Sequence, residues 1–335
     1  MTYSSGGLIE ATDYNTFAGN TTAGLNRVWS TGSGDYGWGQ TAISAVSASG
    51  VVTATNWATL VNSLSTTGAQ STTTITSRTV PVTGNIVAIL ANVQTDINNC
   101  TTNRGNATSS GTQYGTFTGT TSKTTATGSG QAAWTITFTH TVTFANANAA
   151  RYFWNAGGLV RLQYGKTSTG QDADSEWNEL AGWCGSIYIS GRVASAAQTI
   201  AGVSYTGTTR IGGTGGTQTT LATTTGWYQL TTSPATVFQL NSSTAPYSGE
   251  FIRTTATATS STVLTLVTTW VSDGSSGAGT TANISGGTAT ASPSTTISGT
   301  APTTLVTYLP PSTAQGLTAS WTPGGVEPAI AASVA

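Results

Sequence analysis

Trp134-Thr135-Ile136-Thr137-Phe138-Thr139-His140-Thr141-Val142-Thr143-Phe144 decides the class of fold: every even position holds a large side chain and every odd one a threonine. Successive side chains of an extended chain point to opposite faces. The alternation therefore describes a strand with one packed face and a threonine face turned outward. Threonine suits that outer face because its β-branch is stiff at χ1 and its hydroxyl can hydrogen-bond across strands.

Outward from this strand, period-two or apolar runs predict further strands at 159–164, 186–193, 227–230, 235–240, 251–257, 263–271 and 305–309. Clusters of Gly, Ser, Asn and Pro separate them, as turns require. One helical insertion, 175–183, interrupts the series. Several short strands with Gly-rich turns argue an antiparallel sandwich over residues 106–335.

Residues 1–105 read differently. Gly7-Leu8-Ile9-Glu10-Ala11-Thr12-Asp13-Tyr14-Asn15-Thr16-Phe17 is echoed by Gly50-Val51-Val52-Thr53-Ala54-Thr55-Asn56-Trp57-Ala58-Thr59-Leu60. Each copy reads as a short extended piece, a polar cap, and a helix whose first turn carries an aromatic residue. Tyr14, Phe17 and Leu25 line one face after the first copy; Trp57, Leu60, Val61 and Leu64 do so after the second. A third helix is predicted over 86–97, from Ile86, Ile89, Leu90, Val93 and Ile97 at helical spacing. Together these make a small mixed module with three short helices and an internal repeat. Two copies are too few for a solenoid.

Composition narrows the function. Asp, Glu, Lys and Arg form 6% of the 335 residues, against roughly 25% in an average soluble protein. Threonine supplies roughly a fifth of the chain, with 41 Gly. The 28 aromatic residues (10 Trp, 11 Tyr, 7 Phe) and 37% hydrophobic content are enough to bury a core, so the low charge does not mean disorder. A formal net charge of −1 gives no field for nucleic acid and no polybasic membrane patch. The first ten residues lack the basic and apolar regions of a signal peptide, and no apolar run reaches the length of a membrane span. So neutral a surface keeps a monomer in solution poorly, which points to coverage by other subunits.

Candidate sites are few. Asp172, Asp174, Glu176 and Glu179 form the densest acidic run. Alternating acids are part of a calcium loop, but the central Gly and the bidentate Glu at its twelfth position are missing. Acids at a helix N-terminus, with Asp174 or Ser175 as cap, account for the run. His140 is the sole histidine and lies on the large-residue face, as a packed or inter-subunit residue. A Ser-His-Asp triad would need it, and no Gly-x-Ser-x-Gly elbow accompanies it. The 11 acids cannot be paired for glycoside cleavage from sequence. Gly212-Gly213-Thr214-Gly215-Gly216 lacks the Gly-Lys-Ser/Thr of a P-loop and reads as a turn. Cys100 and Cys184 stand in no metal-ligand spacing and read as two buried thiols. No cofactor is implied. Tyr36 and Trp38, in Gly34-Asp35-Tyr36-Gly37-Trp38-Gly39-Gln40, are the aromatic residues placed to stack on sugars, with glycines leaving their faces open. The alternative is an aromatic plug in a subunit interface.

The N-terminal echo with Gly34–Gln40 resembles the opening of virion structural proteins of tailed bacteriophages, cyanophage-like ones especially. Ala150-Arg151-Tyr152-Phe153-Trp154-Asn155-Ala156-Gly157-Gly158-Leu159-Val160-Arg161-Leu162, continued by Trp177-Asn178-Glu179-Leu180, resembles a β domain of the same structural and tail-fibre proteins. Those usually carry a second Phe where Trp154 stands. The resemblance implies a non-enzymatic virion component, assembled in the host cytoplasm, and brings no catalytic residues. Its partners would be other copies of itself, in a trimer, and other virion proteins. The alternative is an adhesin gripping host surface glycans, and a third option is a polysaccharide depolymerase.

Overall fold

A computed structural model describes residues 10–83, 92–108, 125–127, 133–168, 172–191, 197–245, 247–273, 294–296 and 302–335. The first part of the chain forms helices α1 (Ala11–Ala18), α2 (Asn26–Trp29), α3 (Ala54–Gln70) and α4 (Val93–Asn103). Strands β1 (Thr125–Thr127) and β2 (Ala133–Thr143) follow, then α5 (Ala147–Asn155), β3 (Leu159–Gly165) and α6 (Asp172–Cys184). Next come β4 (Ser186–Ser190), β5 (Gln198–Ile200), β6 (Val203–Tyr205), β7 (Thr208–Ile211), β8 (Thr217–Leu221) and β9 (Ala235–Asn241). The chain closes with β10 (Phe251–Ser260), β11 (Val263–Asp273), β12 (Ser294–Thr296), β13 (Thr303–Leu309) and β14 (Ala329–Val334).

The protein is mainly β. Among the described residues, eight strands make one antiparallel sheet in the order β12-β1-β2-β11-β10-β9-β8, with β14 beside β1 on the same edge of β2. A second antiparallel sheet runs β13-β3-β4-β7, and β5 pairs with β6. One core joins the two larger sheets: Ile136, Phe138, Leu264, Leu266 and Trp270 from one meet Val160, Leu162, Ile187 and Val306 from the other. This is the packing of a sandwich. Helix α6 flanks it and contacts β3, β9 and β10.

The alternation in β2 is realised as expected. Ile136, Phe138, His140 and Val142 are fully buried, while Thr135 to Thr143 on the odd positions retain solvent contact. Two strand expectations need correction. Residues 227–229 form a 3-10 turn, since Gln229 caps the Gly226 N–H and no strand among the described residues partners the segment. Beyond Ser190 the expected strand at 186–193 stops, and 192–193 lie outside the described residues. Helix α5 was not expected; Asn146 caps it by accepting the Ala149 N–H at 2.9 Å, as Asn does at helix starts.

The echo has a structural basis. In α1 the Asp13 carboxylate accepts the Glu10 N–H at 3.3 Å; in α3 the Asn56 side-chain oxygen Oδ1 accepts the Thr53 N–H at 2.9 Å. Both helices thus open on a capping box, with Asp13 and Asn56 at the third position rather than as caps. The two aromatic residues then meet: Tyr14 and Trp57 stand edge to face, 5.3 Å apart, each 1% exposed. With Phe17, Leu25, Leu60, Val61, Leu64 and Ile97 they form a separate helical core. Gly7, Leu8 and Ile9 of the first copy lie outside the described residues. The third helix begins at Val93 and continues past the expected end, burying Cys100 beside Ile97; Ile86, Ile89 and Leu90 lie outside the described residues.

Candidate functional site at the helix–sheet junction

The segment between α2 and α3 is the meeting place of the two cores. It doubles back on α2, the Trp38 N–H donating to the Val28 carbonyl at 2.8 Å and the Gln40 N–H to the Trp29 carbonyl at 3.0 Å. Two glycines permit the fold-back. A Cβ on Gly37 (φ +93°) would lie 2.1 Å from the Thr31 carbonyl oxygen, and one on Gly39 (φ +70°) would meet the Tyr152 ring at 2.4 Å. Both also need the left-handed backbone that glycine alone adopts freely.

Helix α5 clamps this loop. Arg151 donates to the Gly32 carbonyl at 2.8 Å. The Asn155 amide donates to the Gly37 carbonyl at 3.1 Å and the Gly34 carbonyl at 3.3 Å, while its side-chain oxygen accepts the Tyr228 hydroxyl at 2.7 Å. The Trp38 indole N–H donates to the backbone carbonyls of Asn155 and Arg104 at 3.1 and 3.2 Å. On the far side Gln40 pairs with Thr318 through donors and acceptors of both residues, at 2.8 to 3.0 Å. The two sequence stretches that stood out, 34–40 and 150–158, therefore bind each other.

This placement corrects the reading of Tyr36 and Trp38 as open sugar platforms. Trp38 is fully buried and belongs to the sandwich core. Tyr36 is half-buried, with the Arg27 guanidinium 3.7 Å and the Arg104 guanidinium 3.9 Å from its ring centroid. Two guanidiniums so near one centroid occupy opposite faces, and Arg104 is held there by an ion pair with Asp35. The flanking glycines serve close backbone approach and leave neither ring free.

No family model, curated protein or solved structure matches the chain.

The acidic run does not converge. Glu176 is 3% exposed and accepts a hydrogen bond from the Ser242 hydroxyl, while Glu179 is exposed. Burial pushes the Glu176 carboxyl above its ordinary range, and its hydrogen bonds oppose that rise. The side chains of Asp172 and Asp174 lie outside the described residues. Among the described residues no three His, Cys, Asp or Glu side chains gather as a metal site would need, and no helix is long and apolar enough to cross a membrane. His140 lies between the sheets, where burial pushes its imidazole down to about 4 against a backbone hydrogen bond with Thr304. It is a neutral core residue at pH 7. Cys100 and Cys184 are buried free thiols, pushed up by burial, Cys100 to about 12.

Sequence reasoning missed the clamp residues Arg151, Asn155 and Tyr228. The cap signal at Asn146 was available for α5. Nothing local marks Tyr228 as the partner of a helix 73 residues earlier.

Proposed function

We propose that the chain is a structural subunit of a tailed-phage virion, acting by self-association. The observation that carries the self-association is the outer face of the eight-stranded sheet. Thr135, Thr137, Thr139 and Thr141 of β2 stand opposite Val271, Thr269, Val267 and Thr265 of β11. Val267 and Thr265 in turn stand opposite Thr255 and Thr257 of β10. From Thr135 to Thr143 and across the residues opposite them on β11 and β10, the face carries one charge, Arg253. A broad pleated face of hydroxyls and methyls has little charge to desolvate on burial, and little repulsion to hold copies apart. The phage assignment rests on the resemblance of the 34–40 and 150–162 stretches, which here lock one chain together. The glycan-adhesin reading loses its two candidate rings to that lock.

Light scattering after size exclusion tests the association. The expected result is an oligomer, a trimer by the threefold rule of fibrous appendages, at micromolar concentration. Thr137→Lys with Thr265→Lys should reduce it to monomer with the circular dichroism unchanged. A wild-type monomer across that range would overturn self-association. Absence of the chain from purified particles of its phage would overturn the virion assignment.

A further inference from the structure

Beside the clamp lies a small recess, open to solvent on one side, lined by Asp35, Trp154, Asn155, Gln198 and Tyr228 among others. Most of the polar groups around it are engaged. Asn155 spends its amide on the loop and its oxygen on Tyr228, and Asp35 pairs with Arg104. Two atoms are not. The Trp154 indole Nε1 and the Gln198 Oε1 are buried without a hydrogen-bond partner, on side chains each 1% exposed. Folded proteins seldom leave such atoms unpaired.

The two orphans are complementary. An indole nitrogen only donates and an amide oxygen only accepts. The Gln198 amide orientation is fixed, because its nitrogen donates to the Gly105 carbonyl and a flip would set two oxygens against each other. Trp154 is fixed too, stacked on Trp227 at 5.5 Å and 17°. A group that satisfies both must accept from one and donate to the other at once. A hydroxyl does this; a carboxylate lacks the donor, a carboxylate or phosphate would bring its negative charge toward Asp35, and an ammonium lacks the acceptor.

We infer that this recess is a hydroxyl-binding site in which one oxygen accepts from Trp154 Nε1 and donates to Gln198 Oε1. The hydroxyl is that of an ordered water, or of one arm of a polyol reaching in from the open side; the closed space has room for about one water, and bound waters of this kind are part of folded structures. Its role is to tie β5 to α5 at the junction of the two cores. The inference does not depend on the phage assignment.

A crystal structure of the full chain from polyol-free solution is the test. The expected result is an oxygen within about 3.2 Å of both atoms, absent from the Trp154→Phe variant. Glucose titrated onto the labelled protein then separates the sources. An unmoved Trp154 indole N–H resonance with the oxygen in place identifies water; a saturable shift, with glucose density replacing that oxygen, identifies a polyol. A recess without oxygen density, or Trp154 Nε1 and Gln198 Oε1 bonded to protein atoms, overturns the inference. Because the decisive observation is on the wild type, a variant that fails to fold leaves it intact.

Discussion

The helical cluster and the sandwich bury aromatic residues to similar depth but partner their buried polar groups differently. Around Tyr14 and Trp57 the rings pack among apolar side chains, and the buried polar side chains of the module mostly bond backbone: Asn26 holds both the N–H and the carbonyl of Ile43, and Thr67, Gln70 and Ser71 donate to carbonyls of Ser63, Ala156 and Thr67. Between the sheets, hydroxyls are part of the interior. Tyr164 bonds Thr254, Thr254 bonds Thr268, both at 2.8 Å, and the Trp270 indole donates to Thr304 at 3.2 Å. Thr254, Thr268, Thr304 and His140 are fully buried. Threonine therefore has two uses here. On the outer face it meets solvent or another copy; on the inner face it is stable because each hydroxyl finds a partner.

The largest expected effect separates those two faces. Phe138→Asp puts a carboxylate in the sandwich core, and unfolding should show a loss of about 5 kcal/mol or more, as for an unpaired buried charge. Thr139→Asp, one residue along and facing out, should cost under about 1 kcal/mol. Equal losses in urea melts of the isolated chain would show that the outer face is packed as tightly as the inner one.

In the helical cluster the matching change is Trp57→Ala. Loss of a buried ring from an apolar site should cost about 3–5 kcal/mol. A loss below about 1 kcal/mol would mean that the meeting of Tyr14 with Trp57 contributes little and that the echo does not anchor the module.

How far each region was legible follows from the same contrast. Capping boxes and helical spacing are local signals, so α1 and α3 can be read from a dozen residues each. β2 could be read because its large and threonine positions alternate without exception. β10 could be placed but not phased: Ile252, Thr254 and Ala256 point inward, and no inequality of size marks that face. β14 escaped because Ala329, Ala331 and Ser333 are exposed on an edge strand that needs only backbone pairing with β2. The junction was the least legible part. Gly34–Gln40 reads as an open loop until its partners Arg151, Asn155 and Tyr228, more than a hundred residues away, are brought beside it. Likewise the free energy of the Trp38 site resides in contacts that no window of sequence contains.

The polar interior of the sandwich also predicts a dependence on pH. His140 falls from about 6.5 when unfolded to about 4 when folded. The folded state thus favours the neutral imidazole, and its contribution is complete above pH 6.5 and lost as pH falls toward 4. The loss is about 3 kcal/mol. Glu176 acts in the other sense: its raised carboxyl contributes below the unfolded-state value and loses that contribution as pH rises through the folded one. Comparing wild type with His140→Gln cancels the Glu176 effect. Between pH 6.5 and 4 the wild type should lose stability faster, by about one proton's worth of slope. Parallel profiles would place the imidazole in contact with solvent.

The smallest effect tests whether the junction behaves as surface or core. Tyr36 has a guanidinium on each face, and its ring is only half-buried. Each such contact is worth about 0.5–1 kcal/mol at an exposed site, and Arg104 is already neutralised by Asp35, so the sum should be about 1 kcal/mol. Tyr36→Phe retains the ring and should leave stability unchanged. Tyr36→Leu retains apolar bulk but removes the π face, and should lose that 1 kcal/mol. Arg27→Met measured alone and with Tyr36→Leu then isolates the pair: the double variant should cost less than the sum by about 0.5 kcal/mol. If Phe and Leu are equally harmful, the phenol hydroxyl rather than the ring face holds the loop. If neither matters, the clamp rests on its hydrogen bonds, those of Arg151, Asn155, Trp38 and Gln40. Only in that last case would the Tyr36 ring be released cheaply enough to meet a sugar.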